Sequence, residues 1–298
     1  MTLAPLPMLR AGAVILLRPG GRIQVGHDPD RAVIIEPPAH VVPDRLAALL
    51  RSLTGPQTPQ DTADRAAAAG LTADEVRELL DALVEAGTAH HGRSAITPMQ
   101  IRIHGSGPLA DATASALSRP EFSVVQSVRR PRLFDGDVDP ITHEDRMVTW
   151  ATDLVILTDF LAHDPWLVSS LMRHRIPHLM VRLRDGTGVI GPMVLPGLSS
   201  CLHCADHHRR DRDRDWPIVS AQLLGLSGWA GSATIAGTAA IVQAEVEHVA
   251  AATRPDRRTG TLGAPTSLDA TIEFRADPSS LLIRGWSPHP LCGCRLPQ

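Results

Sequence analysis

The sequence predicts an α/β protein made of two domains, the second with a parallel-rich sheet. The chain has 298 residues, more than most single domains. Residues 13–93 contain three short apolar segments followed by three amphipathic ones, which indicates a small α+β domain of the winged helix-turn-helix kind. Residues 99–183 alternate apolar strands with helices, the pattern of a parallel sheet. We therefore place the domains at 1–93 and 99–298.

The first domain opens with three predicted strands. The segments AVILL (13–17), RIQVG (22–26) and AVIIE (32–36) are separated by turns rich in Gly, Pro and Asp. The apolar run at 11–17 has about the length of a signal-peptide core, but no cleavage site is evident and only Arg10 flanks it. We favour a strand, and with no secretion signal we expect a cytoplasmic protein.

Three helices follow, and their ends are marked in the sequence. Leucines at helical spacing predict a helix over 42–53. Thr58 and Gly70 bracket the second helix as N-cap and C-terminal glycine. Thr72 stands three residues before Glu75, a capping box that starts the third helix.

The second domain begins with strand, glycine turn and helix in MQIRIHGSGPLADATASALS (99–118), followed by a strand at 122–128. Further buried strands are predicted at 153–159 and 177–183, with a helix at 165–175 between them. The apolar stretch 229–252 carries Glu245, Glu247 and His248 and is too polar for a membrane span. We interpret it as a buried helix.

Composition excludes some functions. The formal net charge is -3, so nothing attracts the whole chain to nucleic acid or to anionic membranes. All 29 basic residues are arginine, which excludes any reaction that needs a lysine amine from this chain. The third helix carries five acidic residues against Arg77 alone, a face that would repel DNA phosphates.

The strongest signal lies in the four cysteines, which form two close pairs, Cys201 with Cys204 and Cys292 with Cys294. Each pair can place two thiolates on one tetrahedral ion, so we predict a structural zinc site that clamps the C-terminal tail onto its domain. Free thiols and a redox CxxC are the alternatives. We expect His203, His207 and His208 to be surface or helix-start residues, and the charged run 209–215 to be a solvated helix face or loop.

A weaker signal is HGSGPLAD (104–111), with Gly105 and Gly107 between a strand and a helix. Such a turn can bring helix amides to a phosphate. The acidic residue expected about twenty positions later is missing: Arg129, Arg130 and Arg132 stand there, and Asp135 and Asp137 come later. A purely structural turn is therefore favoured over a working nucleotide site.

Together these motifs resemble the ThiF/MoeB superfamily of ubiquitin-activating-type adenylyltransferases. The resemblance covers 100–298 and is carried by the GxG turn, ILTD (156–159), GVIGPMVLPGLSSCLHC (188–204) and WSPHPLCGC (286–294). More narrowly, the chain is similar to the ThiF-like subgroup found beside YcaO cyclodehydratases in thiazole/oxazole-modified microcin (TOMM, bacteriocin) biosynthesis. The resemblance implies a Rossmann-like ThiF-type domain, a PqqD-like winged helix that recognises a leader peptide, and a homodimer.

The departures from the superfamily concern catalysis. The acidic ribose motif, the Arg segment and the phosphate-contacting Lys of active members have no counterpart here; only the magnesium-associated Asp does, at Asp159. No cysteine lies between 204 and 292 to form a thioester. We expect no catalytic residues, no use of ATP, and a vestigial nucleotide site at Gly105, Gly107 and Asp159.

The sequence therefore predicts a pseudoenzyme that binds a leader peptide and presents it to a YcaO-type partner enzyme. The peptide is expected to add as a strand beside 32–36, near Val33 and Ile35, and to pack against Val76, Leu80 and Leu83 of the third helix. Those three leucine and valine side chains fit the core of the domain equally well. The alternative is a divergent ATP-dependent adenylyltransferase.

Overall fold

The computed structural model describes residues 7–10, 12–55, 57–91, 97–127, 150–252 and 264–295. The described residues up to 91 form one compact unit, and those from 97 onwards form a second. The segment with the arginines at 129–132, Asp135 and Asp137 lies outside the described residues.

The N-terminal unit contains the three predicted strands and three predicted helices, together with a further pair of strands. Strands β2, β3 and β4 form an antiparallel sheet in that order, and β1 pairs with β5. The elements are β1 (Pro7–Leu9), β2 (Ile15–Leu17), β3 (Ile23–Val25), β4 (Val33–Ile35), α1 (Pro43–Ser52), α2 (Pro59–Ala69), α3 (Ala73–Glu85) and β5 (Ala89–His91). The apolar run at 11–17 thus ends in a strand.

The helix boundaries follow the local signals. Thr58 accepts a hydrogen bond from the Asp61 amide at 3.1 Å, and Gly70 ends α2 in the left-handed conformation, with a φ of 87°. Thr72 and Glu75 form the predicted capping box at the start of α3. Strand β1 was not predicted, because Pro7–Leu9 becomes a strand by pairing with β5, at the other end of the unit.

The second unit is built on a seven-stranded mixed sheet flanked by helices. Its strands are β6 (Met99–His104), β7 (Phe122–Ser127), β8 (Leu154–Leu157), β9 (His178–Arg184), β10 (Thr187–Val194), β11 (Ala270–Ala276) and β12 (Ser279–Gly285). Its helices are α4 (Pro108–Ala116), α5 (Pro165–Arg173), α6 (Leu202–Arg212), α7 (Trp216–Gln222) and α8 (Ser232–Ala252), with a 3-10 turn at Gly293–Arg295.

The strand order is β12-β11-β10-β9-β8-β6-β7. The β7-β6-β8-β9 half is parallel, as strand–helix alternation predicts, whereas β9 to β12 are joined by antiparallel pairings. The α/β fold class is confirmed. The antiparallel half was not predicted, because β9 and β10 are joined by a tight turn and not by a helix.

Helices cover both faces of this sheet. On one face α4 and α8 pack against Ile101, Ile103 and Leu179; on the other, α5 and α6 pack against Val155, Leu157 and Met180. The stretch 229–252 thus contains a helix whose Val242, Val246 and Val249 are buried. Within the described residues, none of the helices has both the length and the apolar composition needed to cross a membrane.

Candidate functional site

The four cysteines converge in the second unit although 91 residues separate Cys201 from Cys292. Their sulfur atoms all lie within 4.8 Å of one another. The Cys201–Cys204, Cys201–Cys292 and Cys204–Cys294 Sγ–Sγ distances are 3.8, 3.6 and 3.5 Å. All four are free thiols rather than disulfides.

These distances fit a tetrahedral metal ion. With zinc–sulfur bonds of about 2.3 Å, ideal tetrahedral ligands stand about 3.8 Å apart, whereas a disulfide needs about 2.05 Å. Four sulfurs would close the coordination sphere and leave no position for a substrate. The cluster can therefore hold a metal ion, in a structural rather than a catalytic arrangement.

The fold supplies each pair of thiols from a different element. Cys201 is the N-cap of α6 and Cys204 lies in its first turn, while Cys292 directly precedes the 3-10 turn of the tail and Cys294 lies within it. Burial raises the pKa of Cys201, and burial raises the pKa of Cys294 to about 12. Such thiols lose their protons to a divalent cation rather than to water near neutral pH.

Histidines around the cluster tie the tail to α6. The ring of His289 donates from Nε2 to the Asp211 carboxylate at 2.8 Å and stacks on His207 with 4.8 Å between ring centroids. The Nε2 atom of His208 bonds the Ser287 carbonyl oxygen at 2.8 Å. His207 and His208 are thus partly buried contacts of the tail, and their description as surface residues was too simple. His289 was missed because its partners are about eighty positions away.

Residues 211–215 of the charged run are exposed, as expected, whereas Arg209 at its start is largely enclosed. Arg209 bonds Asp206 at 2.8 Å, and only 18% of its side chain is exposed. Its guanidinium lies 5.3 Å from the ring centroids of both Trp216 and Trp286. The charge pattern of the sequence predicts that Arg209 is exposed, but in the structure two indole rings enclose it.

The glycine turn at 105–107 is packed against the end of β8. A Cβ atom on Gly105 would overlap Thr158 Oγ1, and one on Gly107 would lie 2.6 Å from Asp159 Oδ1. Glycine is thus required at both positions by the close approach of the β8 end, whether or not a nucleotide binds.

Asp159 caps the helix that follows this turn. Its two carboxylate oxygens accept hydrogen bonds from the amides of Leu109, at 3.2 Å, and Ala110, at 3.0 Å. Asp159 is 3% exposed and has a left-handed φ of 64°. Its burial raises its pKa, although the two amides lower it. The amides that a phosphate would use are therefore already bonded to a carboxylate of the chain itself.

Strand β7 runs beside this turn and ends at Ser127, whose hydroxyl hydrogen-bonds His104 Nδ1 at 3.0 Å. The residues that follow it, where the ribose-binding acid would be sought, lie outside the described residues. The structure thus places Gly105, Gly107 and Asp159 close together in a self-capped arrangement, and a vestigial nucleotide site there stays a prediction.

The predicted peptide-binding residues are divided between the core and the sheet. Val76, Leu80 and Leu83 are only 7%, 2% and 1% exposed, in the hydrophobic core of the first unit. Val33 and Ile35 pack partly buried against the same core. The three α3 side chains that were expected to contact the peptide therefore face the hydrophobic core of the first unit.

Strand β4 nevertheless has an edge suited to another strand. The hydrogen bonds from Gly26 to Val14 and from Arg18 to Arg22 direct the backbone of Gln24 towards β2. Directions alternate along an antiparallel strand, so Ile34, opposite Gln24, points its N–H and C=O away from β3. At the other edge, the Ile15 carbonyl is already bonded by Arg51 at 3.1 Å.

No protein-family model and no curated protein matches the chain. Its fold, however, matches solved structures of a heterocyclase and of MccB, in agreement with the predicted fold class. A heterocyclase in complex with substrate and cofactor aligns with a TM-score of 0.66 and 14% identity, over 97% of this chain and 39% of the heterocyclase. This chain thus spans less than half of that protein.

Two further structures match over nearly their whole lengths. E. coli MccB with ATP has a TM-score of 0.57 and 13% identity, over 97% of this chain and 99% of MccB. The microcin C7 biosynthetic enzyme MccB with N-formylated MccA has a TM-score of 0.56 and 12% identity, over the same shares. At these identities the likeness establishes the fold.

Proposed function

We propose that this chain is a non-catalytic ThiF-fold protein that binds a leader peptide and presents it to a YcaO-type cyclodehydratase in thiazole/oxazole peptide modification. The observation that carries the non-catalytic part is the bonding of Asp159 to the amides of Leu109 and Ala110. Adenylation needs positive charge and amide donors at the phosphates. Here a buried carboxylate takes the donors, and the sequence contains no lysine.

The peptide part rests on β4. Its outward N–H and C=O at Ile34 can pair with an added strand, and the Ile34 side chain is 46% exposed on the same face as Leu16, at 41%. The buried Val76, Leu80 and Leu83 would support this sheet from below rather than touch the peptide.

The backbone geometry allows a sharp test. Ile34→Pro removes the outward N–H but no bond to β3, so the domain should fold while peptide affinity falls at least about tenfold, which is one lost hydrogen bond plus steric conflict. The matched control, Ile34→Ala, keeps the N–H and loses only side-chain contacts. Equal peptide affinity of the Pro variant and the wild type would exclude addition at this edge.

We assign structural zinc to Cys201, Cys204, Cys292 and Cys294, because the sulfur spacing fits that ion and four thiolates are its usual closed ligand set. The ion would hold the tail against α6 and take no part in chemistry. A homodimer in the cytoplasm is the family expectation for the assembled protein.

The second candidate is a divergent ATP-dependent adenylyltransferase, favoured by the solved MccB complexes with ATP and by the presence of Asp159 in ILTD. Release of Asp159 from the α4 amides would be needed before phosphate could bind. Pyrophosphate exchange with ATP and magnesium, measured with the precursor peptide present, distinguishes the two. Exchange above background supports adenylation and overturns the non-catalytic proposal.

A further inference from the structure

A small cavity of about 100 Å³ lies on the α5–α6 face of the sheet in the second unit. Its walls come from the loop after β8, from β9 and β10, and from α6 and α7. Most of the lining is apolar, including Leu161, Val168, Met180 and Leu202, but four basic side chains also line it: His163, Arg182, His203 and Arg209. Neither the cysteine cluster nor the β4 edge includes these residues.

Arg182 is a buried cation of strand β9. It is 8% exposed, and its Nη1 donates to the Leu161 carbonyl at 2.8 Å. Within the described part of the chain, no carboxylate forms an ion pair with it. Burial lowers its pKa to about 9, so it is still charged at neutral pH. A buried charge without a counter-ion is strongly unfavourable, and an anion in the cavity would relieve it.

The remaining charges in the cavity wall do not balance Arg182. Asp206 lines the same cavity, but its carboxylate already bonds Arg209 at 2.8 Å. Two guanidinium groups and one carboxylate leave one positive charge in the wall.

His163 adds a neutral polar group to this wall. It is 7% exposed, and its Nε2 atom has no hydrogen-bond partner among the residues that the structure describes. Burial, followed by the charges of His104 and Arg182, lowers the pKa of His163 to about 3, so the ring is uncharged at neutral pH. In the Nε2–H tautomer this buried nitrogen is a donor that lacks an acceptor, and an anion in the cavity would supply one.

We propose that this cavity binds a carboxylate group, with Arg182 and His163 as its direct partners and Arg209 as a supporting charge. The planar guanidinium matches the two oxygens of a carboxylate. About 100 Å³ holds a carboxylate with a short aliphatic stem, whereas whole-ligand pockets measure about 300–1,000 Å³. The carboxylate belongs either to a small organic acid or to a peptide chain, and the proposal does not depend on peptide addition at β4.

Acetate is the probe, with acetamide as its uncharged counterpart, at constant ionic strength. Acetate, and not acetamide, should raise the melting temperature of the wild-type protein. In Arg182→Met the acetate dissociation constant should increase about tenfold or more, as expected for a lost charged hydrogen bond. The control is Arg184→Met, which changes the net charge equally. Arg184 lies on the same strand, but its side chain is 45% exposed and paired with Glu273, so Arg184→Met should bind acetate like the wild type.

A second result separates a ligand site from a structural arginine. Without acetate, Arg182→Met should melt at or above the wild-type temperature, because it removes an unpaired buried charge. A large fall in melting temperature, or an equal response of wild type and Arg182→Met to acetate, would overturn the proposal. If the Met variant does not fold, Arg182→Lys is measured instead, because it keeps the charge but lacks the planar guanidinium. Undiminished acetate binding by Arg182→Lys would also overturn the proposal.

The source of the carboxylate is decided by a peptide pair. A short peptide with a free C-terminal carboxylate is compared with its C-terminal amide, in the wild type and in Arg182→Met. A preference for the acid that Arg182→Met abolishes assigns the cavity to a peptide terminus, while binding of acetate alone assigns it to a small acid. Ile34→Pro should alter neither result, so failure here and failure of the β4 proposal are distinguishable.

Discussion

The cysteine cluster gives the prediction with the best-defined magnitude. Replacing Cys292 by Ser removes one of four sulfurs and weakens a clamp that closes 91 residues of chain. In the chain-entropy estimate, cross-linking a loop of that length contributes about 4–5 kcal/mol to the free energy of unfolding. Because three sulfurs can still hold the ion weakly, we expect Cys292→Ser to lower the free energy of unfolding by about 2–4 kcal/mol.

Urea unfolding with and without EDTA measures this effect, and elemental analysis should find about one zinc per wild-type chain. EDTA should destabilise the wild type and have a smaller effect on Cys292→Ser, in which part of the clamp is already lost. Ser287→Ala is the matched control, since that exposed tail residue lies outside the cluster and its side chain can be removed at a cost within about 0.5 kcal/mol. Four titratable thiols in a folded, metal-free protein, with Cys292→Ser as stable as Ser287→Ala, would refute the reasoning.

Three further results are expected. Asp159→Ala leaves the Leu109 and Ala110 amides without an acceptor and should lower the free energy of unfolding in urea by about 1–3 kcal/mol. Asp111→Ala, at an exposed position of the same helix, should change it little, and an equal loss in both variants would exclude Asp159 as the helix cap. ATP with magnesium should neither shift the melting temperature nor support pyrophosphate exchange. Burial lowers the pKa of His178 from 6.5 to about 4, so between these values the unfolded chain binds a proton that the folded protein does not. The free energy of unfolding should therefore fall as the pH is lowered from about 6.5 to 4. His178→Phe should reduce this pH dependence by about 1.4 kcal/mol per pH unit, and an unchanged pH dependence would contradict the buried, neutral state of His178.

Local signals in the sequence were sufficient for much of the fold. Thr58, Gly70 and the Thr72–Glu75 capping box act within a few residues, so they mark helix ends wherever the helices pack. The cysteine pairs could be read in the same way, because close spacing and the small number of cysteines restrict how they can combine.

The features that escaped the sequence depend on contacts between distant residues. Nothing near Arg182 indicates that its strand position is enclosed by α6 and α7, and the enclosure of Arg209 by Trp216 and Trp286 depends on a tail that arrives about eighty residues later. The capping of α4 by Asp159 likewise joins positions about fifty residues apart. The glycine turn at 105–107, taken from the sequence alone, therefore does not indicate that the α4 amides after it are already bonded to Asp159.

We propose above all that this chain binds a peptide at the β4 edge and leaves chemistry to a partner. The most direct measurement is fluorescence anisotropy of labelled precursor peptides encoded by genes beside that of this chain, titrated with the wild type, Ile34→Ala and Ile34→Pro. We predict that at least one peptide binds the wild type and Ile34→Ala, and that Ile34→Pro weakens its binding about tenfold or more. Binding of none of these peptides to the wild type, or equal binding to Ile34→Pro, would contradict the account.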